Sequence, residues 1–374
     1  MKLLFLSSFA HLALDPASDR VSGGAELQVA LLARELAGRG YPVVLAGGDI
    51  GQPDGTILQG VKTRVAGKFH TGSAADTLQA LPHVLRVLRQ ERPTHVLVLG
   101  WTAWLFVLHL LKPFFGYKLV FICGLDTEVD GGFRRENPVR GALFEHGMRR
   151  CDIRFAMTRL QESLFQKNGM TCALYRNLIL PRTAPRTAPK TVDFLWVSRC
   201  QPIKQPHLFL DLVEQIPEAR CEMICPREDA GLWESVHARA AKLPNLTFHE
   251  RIPYHQIQGH YDAARIFVNT SRAEGWPNSF IQSGLGETAI LSLSVKPDDL
   301  FERFQLGALA GGDFAQFAAQ ARRMHRDRAL TDRMGAEAAR FVRELHDNAA
   351  ETDAFLSGIG RPAAREAEGN PREQ

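Results

Sequence analysis

The chain has 374 residues, 45% hydrophobic and 23% charged, proportions of a soluble globular protein and a length that requires two domains rather than one core. Its most apolar run, residues 96–111, includes His109 and stops at Lys112-Pro113, too short to span a bilayer. The net charge of +4 divides unevenly: residues 1–190 hold 24 Lys and Arg against 15 Asp and Glu, and the remainder 21 against 26. A basic first half suits an anionic partner such as a membrane leaflet or a lipid-phosphate acceptor. No basic block is interleaved with aromatics, which argues against nucleic acid. Six scattered cysteines without a Cys-x-x-Cys pair read as small core residues of a reduced protein, with no metal site expected among them.

In chain order, Lys2 to Leu6 reads as a buried strand. Its apolar core of about five residues is too short for a secretory leader. Gly23-Gly24-Ala25-Glu26 leads into a helix with Val29, Leu32, Ala33 and Leu36 on one face, stopped by Gly38 and Gly40, and Pro42 to Ala46 resumes strand character. Strand, glycine turn, helix, strand is a doubly wound beginning, and the Gly23-Gly24 pair lets backbone approach a ligand phosphate closely. The turn lacks the Gly-x-Gly-x-x-Gly spacing of a dinucleotide site. Val61 to Val65, His95 to Leu99, Leu119 to Cys123 and Ile153 to Met157 continue as strands. Helical stretches lie near 78–88, where Pro82 predicts a kink or restart, and near 101–111 and 137–150.

Residues 181–192, with Pro-Arg-Thr-Ala twice over, form an extended basic linker. The pattern then starts again. Phe194 to Val197, Cys221 to Cys225, Leu246 to Phe248, Ile266 to Val268 and Ile290 to Leu293 are strands; Leu208 to Ile216 and 313–346 are helical. The expected organisation is a first α/β Rossmann-like domain over 1–180, the linker, and a second over 193–345. A helical piece over 346–360 packs back on the first domain, and 361–374 is a disordered tail. Two doubly wound domains in succession imply a ligand cleft between them.

Chemistry concentrates between Arg265 and Leu293, where an apolar strand is followed by a polar turn with Glu274 and a helix opening at Pro277. The unpaired N–H groups of Asn278, Ser279 and Phe280 would favour phosphate, whereas Glu274 beside them favours neutral hydroxyls, a combination that fits a sugar phosphate. After the first strand of the second half stand Arg199 and, five positions on, Lys204, two cations able to stabilise a departing diphosphate. In the first half Asp126 follows a strand within Gly124 to Gly132, placed to orient an acceptor hydroxyl or to cap the next segment. His109 and His146 fall within helices and read as packing or surface residues.

The turn Glu274-Gly275-Trp276-Pro277-Asn278, together with Arg199 and Lys204, resembles the signature of the family 4 glycosyltransferases. Where the family carries a second Glu after seven intervening residues, this chain has Gln282, whose amide can still reach a ribose with a weaker grip than a carboxylate. Where it usually has Gly-x-Pro after the helix, this chain reads Glu287-Thr288-Ala289, with Gly286 one place early, so an altered turn is expected. The histidine that many members carry near Gly124 is absent.

The resemblance implies the GT-B fold and retaining transfer from a nucleotide sugar on the second domain to a glycan or lipid-phosphate-linked acceptor on the first, without cofactor or metal. In this reading Arg199 and Lys204 hold the diphosphate, Glu274 orients the donor sugar, and Gln282 holds the ribose. The backbone at Ile252 reads the base, Asn278 to Phe280 supply N–H donors, and the Gly23-Gly24 loop closes over the donor. Family habit adds polysaccharide or glycoconjugate assembly in the cytoplasm, peripheral to the inner membrane face. The alternative is a catalytically silent GT-B protein that binds a nucleotide sugar or a partner enzyme, which would account for both Gln282 and the missing histidine.

Overall fold

The computed structural model describes residues 1–15, 18, 23–67, 74–180 and 189–360. Most of the expected linker and all of the expected tail lie outside the described residues. The chain divides into two compact units, one of residues 1–15, 25–178 and 348–374, the other of 16–24 and 179–347.

The first unit is built on an eight-stranded sheet: β1 (Leu3–Leu6), β2 (Val43–Gly47), β3 (Ile57–Leu58), β4 (Val61–Val65), β5 (His95–Leu99), β6 (Lys118–Ile122), β7 (Ile153–Ala156) and β8 (Ala173–Leu174), in the order β3-β4-β2-β1-β5-β6-β7-β8. All pairings are parallel except the β3–β4 hairpin. β1, β2 and β7 are buried along their whole length, as expected of strands covered by helices on both faces. Helix Asn348–Gly360 belongs to this unit. Its buried Phe355 stacks on Phe155 at 4.8 Å between ring centroids and meets Tyr175 edge-on at 5.4 Å. Glu351 Oε2 accepts the Arg176 N–H at 2.8 Å.

The second unit carries an all-parallel six-stranded sheet of β9 (Val192–Val197), β10 (Cys221–Ile224), β11 (Leu246–His249), β12 (Ala264–Asn269), β13 (Ala289–Ser292) and β14 (Gly307–Leu309), ordered β11-β10-β9-β12-β13-β14. The strand order reverses between β9 and β12, so the loops leaving their carboxyl ends diverge and open a crevice there.

Helix Asn278–Leu285 packs against helix Arg328–Leu345 at very close range. A Cβ on Gly284 would lie 2.4 Å from the Ala338 carbonyl oxygen, so only glycine allows the approach. The helix ends with Glu287, not glycine, in the left-handed conformation (φ 52°), with Thr288 N–H donating to Ser283 O at 2.8 Å. Gly286, one residue early, stays right-handed at φ −84°. This is the altered turn expected from Glu287-Thr288-Ala289.

Several expectations are corrected. The helical stretch over 313–346 resolves into two helices, Phe314–Arg326 and Arg328–Leu345, broken at Asp327, whose carboxylate accepts the Leu330 N–H at 2.9 Å. The stretch 137–150 is preceded by a separate short helix, Gly132–Glu136. Pro82 does not interrupt helix Ala74–Glu91. Helices Arg159–Lys167, Ala230–Ala240 and Ile257–Ala263 and the short strands β3, β8 and β14 were not expected. Among the described residues no helix is long and apolar enough to cross a membrane.

Candidate functional site

The two loops at the reversal point of the second sheet carry the residues singled out by sequence. β12 ends at buried Asn269, and the chain then turns tightly, the Ser271 N–H donating to Asn269 Oδ1 at 3.0 Å. Glu274 folds back over this turn. Its Oε1 accepts from Asn269 Nδ2 at 2.9 Å and Ser271 Oγ at 2.7 Å, and pairs with Lys204 Nζ at 3.1 Å. Oε2 has no protein partner among the described residues and the side chain is 17% exposed, leaving one oxygen to accept hydroxyl protons from a ligand. Lys204 Nζ likewise retains donors beyond its contact with Glu274.

The loop after β9 is held from both sides. Toward β12, Thr270 Oγ1 donates to Lys204 O at 2.7 Å and accepts from Trp196 Nε1 at 2.9 Å, while the Arg272 N–H donates to Ile203 O at 2.9 Å. Toward β10, the Cys200 N–H donates to Pro226 O at 3.0 Å and Cys200 O accepts the Asp229 N–H at 3.1 Å. Arg199 points to this second side. Its Nη1 lies 3.0 Å from Glu228 Oε2, and Gln201 Nε2 also donates to Glu228. Lys204 and Glu274 are thus brought together, and Arg199, in the same loop, is paired with a carboxylate that sequence reasoning did not identify.

Pro277 lies just before helix Asn278–Leu285 as its cap, not as its first residue, with extended ψ of 120°. The Phe280 N–H donates to Pro277 O at 3.1 Å in a tightened first turn, and its ring is buried. Phe280 is therefore not one of the outward-facing donors; Asn278 and Ser279 form the first turn, with Asn278 Nδ2 donating to Gly24 O at 3.0 Å. Trp276 is an anchor: its buried ring donates through Nε1 to His346 Nε2 at 3.1 Å. Gln282 Nε2 donates to Tyr254 OH at 3.4 Å, and Gln282 O accepts from Gln258 Nε2 at 3.1 Å. Tyr254 sits two residues after half-buried Ile252 in the loop leaving β11. No sequence pattern pointed to Tyr254, which is joined to Gln282 only through the tertiary fold.

Gly23 immediately precedes helix Gly24–Gly38, and Gly23 and Gly24 fall with the second unit rather than with the first as the sequence suggested. In the first unit, half-buried Asp126 opens a one-turn helix after β6. Two residues on lies Glu128, which sequence reasoning passed over. Its side chain is buried. Oε1 accepts the Trp101 N–H at 2.8 Å and Oε2 the Gly124 N–H at 2.7 Å, tying the ends of β5 and β6 together. Burial pushes its carboxyl up to about 7, against the pull of the amides of Gly124, Leu125 and Trp101. His109 and His146 face each other with ring centroids 5.5 Å apart on packed helices.

Residues 23–171 match the family described as a glycosyl transferase 4-like domain, and residues 191–327 the family described as glycosyl transferases group 1. This chain belongs to the GT-B glycosyltransferases. Three solved structures illustrate the fold. Sucrose-phosphate synthase from Thermosynechococcus elongatus superposes with a TM-score of 0.77 at 17% identity, covering 96% of this chain and 98% of that one. Anabaena HepE in complex with UDP and glucose gives 0.72 at 15% identity, covering 96% and 99%. A UDP-forming trehalose-phosphate synthase from Burkholderia vietnamiensis gives 0.68 at 13% identity, covering 96% and 98%. No curated protein sequence matches the chain. In this glycosyltransferase the group 1 match contains Arg199, Lys204, Ile252, Glu274 and Gln282, and the 4-like match contains Gly23, Gly24 and Asp126.

Proposed function

We propose that the chain is a retaining hexosyltransferase, independent of metal at the diphosphate. It moves a sugar from a nucleotide sugar on its second unit to a glycan or lipid-phosphate-linked acceptor bound by its first unit, in polysaccharide or glycoconjugate biosynthesis. HepE is in complex with UDP and the Burkholderia trehalose-phosphate synthase is UDP-forming, which favours a UDP-sugar. The observation that carries the proposal is the pairing of Lys204 with Glu274 at 3.1 Å beside the reversal point of the sheet, with a helix start four residues beyond.

As the glycosidic bond breaks, negative charge accumulates on the leaving diphosphate, and Lys204, Arg199 and the first-turn amides at Asn278 and Ser279 offset it. Arg199 exchanges an exposed pairing with Glu228 for the bidentate grip its fork makes on phosphate oxygens. Glu274 Oε2 accepts sugar hydroxyls while its Oε1 stays anchored. Gln282 and Tyr254 meet the ribose and the backbone at Ile252 the base, while the Gly23-Gly24 turn covers the diphosphate. The leaving diphosphate takes the acceptor proton on the same face, so no protein nucleophile is required, and Asp126 orients the acceptor hydroxyl. The basic surplus of the first 190 residues suits an acceptor at the inner membrane face in the cytoplasm.

The test is transfer from UDP-sugars to membrane-extracted acceptors, with and without magnesium or manganese. Lys204→Ala is expected to lower kcat by about a hundred- to a thousandfold, and Glu274→Ala to abolish turnover. Transfer unchanged in both variants sinks the proposal. Nucleotide binding with neither transfer nor donor hydrolysis points instead to the catalytically silent reading that Gln282 would suit.

A further inference from the structure

Away from the donor loops, three side chains from three elements of the second unit converge on one point. Glu222 lies on β10 and His249 ends β11. The pairing of Glu222 with Thr247, and of Ile224 with His249, puts both side chains on one face of the sheet. His260 reaches the same point from helix Ile257–Ala263. His249 Nε2 lies 2.8 Å and His260 Nδ1 2.5 Å from the same oxygen, Glu222 Oε1, and the two rings meet edge to face with centroids 5.4 Å apart.

The Glu222 side chain is only 8% exposed, and among the described residues it has no Lys or Arg partner. A buried carboxylate needs a positive charge beside it. Two imidazoles and a carboxylate are a donor set for borderline transition metals. Bonds of about 2.0–2.2 Å place ligand atoms roughly 3.3 Å apart, a modest rearrangement of a cluster whose ligand atoms already lie within 4.8 Å of one another. His249 and His260, with side chains 30% and 23% exposed, leave a path for an ion and room for water on its open coordination positions.

We propose that Glu222, His249 and His260 bind one divalent transition-metal ion, zinc by the chemistry of the set, and that the ion clamps the loop between β11 and helix Ile257–Ala263. That loop carries Ile252 and Tyr254, and the clamp closes both of its ends. The metal acts on loop order and takes no part in bond making, so binding can be read without nucleotide and independently of the transferase reading.

The experiment uses the full chain stripped with chelator and titrated with zinc chloride, then with cobalt chloride as a spectroscopic probe. One equivalent is expected, with visible cobalt bands but without the intense near-ultraviolet absorption of thiolate ligation that the six free cysteines would give. His249→Ala and His260→Ala should each weaken zinc by at least the roughly hundredfold seen for loss of an outer-shell partner. Glu222→Gln preserves shape, so it should melt like the wild type in chelator yet lose the zinc-induced rise in Tm. Hydrogen exchange over residues 250–256 should slow when zinc binds. Failure of the wild type to bind zinc, binding that survives in both histidine variants, or bound zinc without protection of 250–256 each overturns the proposal.

Discussion

Arg199 and Glu274 show how differently two charges selected from the same sequence can be placed. Glu274 is gripped through one oxygen by three groups, whereas Arg199 rests on Glu228, both side chains more than a third exposed. An exposed pair contributes at most about 1 kcal/mol, so Glu228 restrains Arg199 only weakly. Glu228→Gln should release it and tighten UDP binding by about two- to fivefold, a change measurable by calorimetry; weaker binding would mean that Glu228 positions Arg199 for the phosphate. Glu128 makes a second case. Its folded carboxyl holds its proton up to about 7, against 4.5 ordinarily. Below 4.5 both folded and unfolded chains are protonated. Between 4.5 and 7 the unfolded chain ionises first, so stability falls with rising pH and levels off above 7. The loss is at most about 3 kcal/mol. In Glu128→Gln that part of the pH dependence of Tm should vanish; an unaltered profile would place the titration elsewhere. Glu274, Lys204 and Arg199 were legible because their spacing along the chain is itself the signal. Glu228, Tyr254 and Glu128 were not, since each acquires its partner through packing across elements.

Among the elements, the strands were the most readable, because a buried parallel strand is a short continuous apolar run between turn residues. Helix Ala230–Ala240 was less so. Only Trp233, Val236 and Ala240 of its residues are buried, too sparse an apolar face to stand out in the sequence. Helix Asn278–Leu285 was correctly anticipated, but its start was set one residue early, and the backbone bond from Phe280 to Pro277 is a detail that residue types do not encode. What holds this helix beside the proposed donor site is the contact of Gly284 with Ala338. Gly284→Ala forces a Cβ against a carbonyl and should cost about 1–3 kcal/mol, lowering Tm and donor affinity together. Glu287→Gly, at the left-handed position three residues on, should raise stability by about 1 kcal/mol without changing activity. A destabilised glycine variant would show that the Glu287 side chain contributes more than the backbone conformation costs.

For the molecule as a whole, two doubly wound units follow from the repeat of strand and helix signals on either side of a proline-rich stretch. The unit built on β1 to β8 is nevertheless incomplete until helix Asn348–Gly360 is added. Phe355→Ala removes a fully buried ring stacked on Phe155 and should destabilise that unit by about 3–5 kcal/mol. Hydrogen exchange should report lost protection in β7 and β8 with β9 to β13 unaffected. Equal loss in both sheets would refute the assignment of the helix to one unit. This arrangement also bears on synthesis. A ribosome releases the strands of the first sheet early and the helix that covers Phe155 and Tyr175 only after the entire second unit has emerged. Through that interval the nascent chain displays an aromatic patch with nothing over it. Chaperone demand during translation is therefore written into the order in which the segments leave the ribosome.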